Sequence, residues 1–304
     1  MSSDRIYHQQ AELLLDILPF IQKLDCFALK GGTAINLFVR DMPRLSIDID
    51  LAYLPIEPRK IFLNNLNKSV TELAQRLKAE QFYVEKKCAK QSKQVNKLIV
   101  SNGKAEIKVE PNTVLRGSVF GIKEFDLSQA VQDTFLQSQK ARLLSIADLY
   151  AGKICAALDR QHPRDLFDIK LMFENEGLSN EIRQAFVVYL ASSARPMSEL
   201  LRPNKLDMRD VYNKEFLGMT NLTVSYEELE DIRNKLIAMI QSDLTNNERQ
   251  FLISIKEGNP GWDLLPIPDI EKLPALQWKL INIDKMNKNL KQKSLNKLKR
   301  VLNV

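Results

Sequence analysis

Histidine is almost absent from this chain. His8 and His162 are the two in 304 residues, and cysteine occurs three times, at Cys26, Cys88 and Cys155. A zinc site built from imidazole and thiolate therefore has little support. Three cysteines, odd in number and scattered through apolar or strand-like stretches, do not make a disulfide framework, and they read as small core residues. No stretch approaches the ~18 consecutive apolar residues of a membrane-spanning helix. The N-terminus lacks the basic start and apolar centre of a signal peptide, so the expected compartment is the cytoplasm. Internal repeats and long disordered linkers are also missing. What is present, 44% hydrophobic residues over 304 positions, suffices for a large core and suits two domains better than one.

Acidic residues are missing from one region in particular. Residues 285–304 carry Lys285, Lys288, Lys291, Lys293, Lys297, Lys299 and Arg300 and no acid; the rest of the chain has 37 basic and 38 acidic residues, so the net charge of +6 arises entirely in this tail. Met286, Leu290, Leu295, Leu298 and Leu302 recur at near-helical spacing, which predicts an amphipathic helix with its lysines outward. Two readings stand side by side: a basic face that follows a polyanion backbone, and a solvated terminal helix.

The densest chemistry lies in residues 27–51. Cys26-Phe27-Ala28-Leu29 reads as a buried strand, Gly31-Gly32 as a tight turn, and Thr33 to Val39 as a helix whose first backbone N–H groups face that turn. Such a helix start attracts anions. It is not a P-loop, because the Gly-Lys-Ser/Thr ending is missing. The run Leu45-Ser46-Ile47-Asp48-Ile49-Asp50-Leu51 then alternates polar and apolar. On a strand this places Asp48 and Asp50 on one face and Ile47, Ile49 and Leu51 on the other. Two carboxylates one pleat repeat apart repel unless a cation sits between them, and hard oxygen ligands beside a phosphate-binding turn suit Mg²⁺. A bare Asp-x-Asp is more often the solvated face of an edge strand; the Gly-Gly helix entrance just before it shifts the balance towards metal.

Helices are expected from Tyr7 to Leu24, interrupted at Pro19, and from Glu57 to Gln81. Strand-like runs follow at 82–88, 95–101, 104–110 and 114–122. In Ala105-Glu106-Ile107-Lys108-Val109-Glu110 the charged side chains share one face. This face, through Glu106 or Glu110, is a candidate source of a third metal carboxylate, although Glu-x-Lys-x-Glu is also an ordinary exposed strand surface. Beyond about residue 140 the pattern is helical. Ser145 with Asp148 predicts a capping box for a helix through Arg160, Pro163 opens another to about Asn175, and Ser179, Ser225 and Thr245 start three more. The reading is α+β with two domains, 1–140 and 141–304, the linker falling at 137–142.

Lys153 lies on an otherwise apolar helix, with Arg160 two turns along the same stripe. Both are placed to point into a cleft, although a lone lysine on such a helix usually snorkels to the surface. Asp165 and Asp168 share a face of the next helix, and Arg164 is placed to pair with Asp168 at i, i+4.

Taken together, Gly31-Gly32-Thr33 with Arg44-x-Ser46-x-Asp48-x-Asp50-Leu51 resembles the opening of the AbiEii-type nucleotidyltransferases, the toxin components of bacterial type IV toxin–antitoxin and abortive-infection systems. Lys153-Ile154-Cys155-Ala156-Ala157-Leu158-Asp159-Arg160 followed by Arg164-Asp165-Leu166-Phe167-Asp168 is similar to the family's second block, and Pro274-Ala275-Leu276-x-Trp278-Lys279-Leu280-x-Asn282 to its C-terminal segment. The resemblance implies a nucleotidyltransferase-like mixed sheet with flanking helices, followed by a mainly helical domain that completes the active site. It implies Asp48, Asp50, Lys153 and Asp168 as catalytic residues, and Gly31, Gly32, Thr33, Lys153 and Arg160 as nucleotide-binding ones. Asp48, Asp50 and Glu110 would hold Mg²⁺, or Mn²⁺ in its place, and Ser46, Asp165 and Arg164 are secondary candidates. The implied reaction moves a nucleoside monophosphate from NTP to RNA, in the family's manner to the tRNA 3′ end, and releases pyrophosphate. A cognate antitoxin is a candidate partner, and no membrane is. Rival readings are a protein or small-molecule hydroxyl as acceptor, and a non-catalytic RNA-binding module on the same fold.

Overall fold

Phe27, Ala28 and Leu29 are at most 1% exposed, and their strand, β1 (Phe27–Lys30), runs through the middle of a mixed sheet. The computed structural model describes residues 2–88 and 94–304. The chain divides after Ser145 into two compact units.

The first unit begins with helix α1 (Ser2–Gln22). After β1 come a helical turn, α2 (Gly31–Ala34), that continues as a π-helical turn over Ile35–Val39, then strand β2 (Ile49–Tyr53) and helix α3 (Arg59–Ala79). Strands β3 (Tyr83–Cys88), β4 (Val95–Ser101), β5 (Glu106–Asn112) and β6 (Ile122–Asp126), helix α4 (Gln129–Phe135) and strand β7 (Lys140–Leu144) complete it. Among the described residues the sheet has seven strands in the order β3-β4-β5-β2-β1-β7-β6. β1 pairs with β2 antiparallel and with β7 parallel, and β2 pairs with β5 parallel. Tyr53 closes the core beneath β2, its ring edge-on to Phe27 at 5.9 Å and to Phe62 of α3 at 5.0 Å.

Several expected boundaries move. α1 runs through Pro19 without a break: Leu13, Leu14, Leu15, Ile17 and Leu18 are 0% exposed, and burying that many side chains at about 1.5–3 kcal/mol each outweighs one lost helical hydrogen bond. The strand expected over 45–51 begins only at Ile49. The strand expected over 114–122 is absent up to residue 121, β6 starting only at Ile122, because the Asn112 side chain accepts the N–H groups of Val114 (2.9 Å) and Leu115 (3.0 Å) and turns the chain. Arg116 then lies over the Phe62 ring at 4.1 Å and donates to the Glu57 carbonyl. Among the described residues the cysteines form no disulfide, and Cys88 is exposed rather than part of the core. No described helix is long and apolar enough to cross a membrane.

The second unit is helical: α5 (Ile146–Arg160), α6 (Pro163–Asn175), α7 (Asn180–Ser192), α8 (Met197–Leu201), α9 (Arg209–Val211) with a π-helical continuation over Tyr212–Phe216, α10 (Tyr226–Asp243), α11 (Asn246–Glu257), α12 (Pro274–Asp284) and α13 (Lys288–Leu302). Their starts follow from local chemistry. Ser179 and Ser225 accept N–H groups three residues on, and Thr245 with Glu248 forms a full capping box. α5 packs along α7, where the Tyr189 hydroxyl donates to the buried Asp148 carboxylate at 3.0 Å. On α13, Leu295, Leu298 and Leu302 are buried as the spacing predicts, whereas Leu290 is 57% exposed.

Candidate active site

In the first unit the site is built on the Gly-Gly turn. Gly31 has φ of +74°, a left-handed conformation that costs a residue with a Cβ about 1–2 kcal/mol. A Cβ there would also stand 2.3 Å from Asp50 Oδ2, so the missing side chain is the space that the carboxylate occupies. Gly32 performs the same service for the loop ahead of β2: its Cβ would lie 2.7 Å from Arg44 Nη2 and 2.9 Å from Ser46 Oγ. Arg44, only 4% exposed, also donates to the Leu45 carbonyl at 2.9 Å.

Thr33 is 1% exposed. Its hydroxyl donates to the Asp48 carbonyl at 2.5 Å and lies 3.1 Å from Ser46 Oγ. Thr33 therefore ties the helical turn to the carboxylate segment, and its hydroxyl is engaged with protein rather than presented to a phosphate. Asn36, fully buried, donates to the Gly32 carbonyl at 2.9 Å and braces the turn from below. These contacts accompany the irregular backbone over residues 45–48, where Ser46 Oγ and the Asp48 carbonyl meet the Thr33 hydroxyl instead of a neighbouring strand. Asp48 is exposed just ahead of β2, whereas Asp50 lies within it, half-buried.

Register completes the arrangement. Asp50 is paired with Lys30 on β1 and with Glu110 on β5, so the three side chains share one face of the sheet. Glu106 sits at the far end of β5, opposite Ser101. Glu110 forms an ion pair with Lys97 of β4 at 2.5 Å. Among the described residues no three His, Cys, Asp or Glu side chains converge as a ready-made metal cluster. The donors that do stand together are Asp50 and Glu110, with Asp48 at the head of the strand. A set of carboxylates that leaves positions open suits Mg²⁺, which keeps several oxygen ligands from substrate phosphate and water.

The second unit holds a compact ion-pair group. Lys153, 6% exposed, lies 3.0 Å from Asp165 Oδ1 and 2.8 Å from Asp168 Oδ2, and both carboxylates are all but excluded from solvent. Arg160 closes on Asp165 from the other side with two hydrogen bonds, through Nε and Nη2, while 62% of its side chain stays exposed. Lys153 and Arg160, two turns apart on α5, thus meet on one carboxylate of α6. Burial opposes ionisation of Asp165, but the Lys153 charge and the Arg160 fork outweigh it and hold the carboxyl well below the usual carboxylate range. Arg164 lies 3.7 Å from Glu215. His162 caps α6, its Nδ1 accepting the Arg164 N–H at 3.1 Å, while Nε2 faces Glu215. Burial pushes its pKa down, although the Glu215 contact opposes that.

Sequence reasoning overlooked Arg44, Lys30 and Lys97 as members of the first arrangement. Arg44 was visible as part of the motif, but its return to Gly32 is a tertiary contact with no local signal.

Comparison with curated protein sequences gives no match. In fold, the chain is similar to MenT4, a nucleotidyltransferase toxin from Mycobacterium tuberculosis H37Rv, with a TM-score of 0.60 at 14% identity over 96% of this chain and 93% of that one. The family model described as "Nucleotidyl transferase AbiEii toxin, Type IV TA system" matches residues 12–281. With most of its length matched, the chain belongs to the AbiEii family of nucleotidyltransferase toxins.

Proposed function

We propose that this nucleotidyltransferase transfers a nucleoside monophosphate from NTP to an RNA acceptor in a Mg²⁺-dependent reaction, with the 3′ end of tRNA as the acceptor that family membership favours. The observation that carries the reading is Asp50, held between the Gly31 backbone and Glu110. A triphosphate on the turn would have carboxylates beside it. Asp48, Asp50 and, once released from Lys97, Glu110 are the residues that would hold the metal. Bound there, Mg²⁺ would neutralise the triphosphate and polarise the α-phosphorus. Mn²⁺ fits the same oxygen ligands.

The chain's own groups supply the rest. Backbone N–H groups at Gly31 and Gly32 receive phosphate oxygens. Thr33 and Ser46 act on position, fixing the Asp48 backbone. The exposed Arg160 fork provides positive charge for the leaving pyrophosphate, and Lys153, buried behind it on the same Asp165 carboxylate, fixes that fork's partner. Asp165 and Asp168 hold the Lys153 ammonium in one place, which makes them positioning residues in this scheme. Catalysis is then mainly alignment and charge neutralisation. Assigning both blocks to one reaction rests on family membership. A double-mutant cycle between Asp50→Asn and Lys153→Met tests it, since groups acting in one step give strongly non-additive losses.

The acceptor is tested by incubating purified protein with each labelled NTP, Mg²⁺ and total RNA. Label in tRNA with stoichiometric pyrophosphate is expected. Label in protein or in a small molecule would move the acceptor to another class, and RNA binding without pyrophosphate would make the protein a non-catalytic binder. Whether a cognate antitoxin silences the activity is tested by co-expression with a candidate antitoxin.

A further inference from the structure

The basic tail of the sequence is a docked helix. α13 packs on α11 and α8, with Leu295, Leu298 and Leu302 buried. Its last turn is tied down as well, the Leu302 carbonyl accepting from Arg249 Nη1 at 2.5 Å. A terminal helix held by three buried leucines and a bond to its backbone keeps one face towards solvent, so the charge it carries has a fixed direction.

The 3.6-residue repeat decides which cations lie on that face. Lys293, Lys297 and Arg300, at i, i+4 and i+7, stand opposite the leucine stripe, about 6 and then about 4.5 Å apart along the axis, and all three are exposed. Lys288 and Lys285, also exposed, extend the charge past the start of the helix. Lys299 turns to the flank, where it meets Glu257 at 3.4 Å. Lys297 reaches Glu199 at 3.5 Å, an exposed pair that water screens. Among the described residues Lys285, Lys288, Lys293 and Arg300 have no carboxylate at ion-pair distance, and residues 285–304 contain no acid of their own.

A row of cations without anions is complementary to a regular polyanion. A membrane surface is the poorer fit, because an interfacial helix sinks an apolar face among the lipids, and α13 has buried its own leucine stripe within the unit. The helix also lies beyond residues 12–281, the part of the chain matched to the family, so family membership does not account for it.

We infer that the outward face of α13, led by Lys293, Lys297 and Arg300, is a docking surface for the phosphate backbone of the RNA acceptor. The polyanion follows from the row of cations; the choice of RNA rests on the acceptor proposed above. Phosphate contacts carry no base information, so the face holds the acceptor without reading its sequence.

The test uses the full chain with Lys293→Gln, Lys297→Gln and Arg300→Gln combined. Two further triple variants accompany it. One conserves charge, with Lys293→Arg, Lys297→Arg and Arg300→Lys. The other, Lys60→Gln, Lys68→Gln and Lys104→Gln, removes the same charge from exposed lysines of the first unit. Affinity for deacylated tRNA is measured across a salt series, with the melting temperature alongside. The α13 Gln variant should bind about tenfold more weakly, with a salt slope shallower by about two, as three lost phosphate contacts require, and should melt as the wild type does. The charge-conserving and first-unit variants should keep the wild-type affinity and slope. Unchanged affinity and slope in the α13 Gln variant would overturn the surface. An equal loss in the first-unit variant would reduce the effect to net charge and overturn it too. Binding to phosphatidylserine vesicles that depends on these three residues, with tRNA affinity untouched, would assign the face to a membrane instead of RNA. Should the wild type bind tRNA through this face while no NTP extends it, the surface stands and the proposed reaction falls. If instead the α13 Gln variant extends tRNA with wild-type kcat/KM, the reaction stands and the surface falls.

Discussion

Asp50 Oδ2 fills the position that a side chain on Gly31 would take, at 2.3 Å from the ideal Cβ. The carboxylate and the glycine are therefore a single device: the first can approach the turn only because the second has nothing there. Gly31→Ala should remove transfer almost completely, by at least ~100-fold in kcat, and lower stability by about 1–3 kcal/mol for the left-handed backbone. Gly32→Ala should be milder, since the atoms it meets are the mobile end of Arg44 and the Ser46 hydroxyl. Steady-state kinetics and thermal melts of both variants check the order, and near wild-type turnover in Gly31→Ala would break the link between turn and carboxylate.

The two aspartates should separate in their effects on the fold. Asp48 is exposed, so Asp48→Asn should abolish transfer with the melting temperature essentially unchanged. Asp50→Asn should abolish transfer too, and should leave Glu110 and Lys97 as an isolated pair. Retained activity in either variant at saturating Mg²⁺ would mean that the metal is held elsewhere.

Lys153→Ala takes the shared ammonium from two buried carboxylates and leaves Asp165 with its Arg160 fork, which should cost about 3–5 kcal/mol as well as activity. Lys153→Arg should recover part of both, because a planar guanidinium is a poor substitute for an ammonium seated between oxygens at 3.0 and 2.8 Å. Urea unfolding together with single-turnover transfer separates the two losses. A stable but inactive Lys153→Ala would mean that the ion-pair group contributes little to folding.

Asp165 gives a pH signature. Its folded pKa is depressed, so its stabilisation is fully present above the ordinary carboxylate pKa of about 4 and is lost as pH falls from there towards the depressed value. Asp165→Asn should therefore be clearly less stable than wild type at pH 7, with the gap narrowing below about pH 4. A gap that is constant across that range would contradict the assigned ionisation.

Much of this was legible in the sequence where the determinants are local. β1 is a run of contiguous apolar residues, α6 opens on Pro163, and the caps at Ser179, Ser225 and Thr245 are side chains that bond within their own first turn. The Gly-Gly turn followed by Asp-x-Asp marked the candidate site for the same reason. What escaped depends on distant partners. β2 starts late because Thr33, more than ten residues earlier, bonds Ser46 Oγ and the Asp48 carbonyl. The α1 stripe decides that Pro19 is tolerated. Alternation placed Glu110 on a polar face, but only the pairing of β2 with β5 sets it beside Asp50, and nothing in the linear chain announces Lys97 as its partner. The meeting of Lys153 and Arg160 on Asp165 likewise needs the crossing of α5 and α6.

The face that carries Asp50 and Glu110 has Lys30 in register on one side and Lys97 paired on the other. Across four adjacent strands the charges run plus, minus, minus, plus. The protein thus supplies Glu110 with a counterion of its own in Lys97. A divalent metal that arrived with a nucleotide, as proposed above, would have to displace an ammonium already seated on Glu110, so its uptake there would be an exchange of one cation for another.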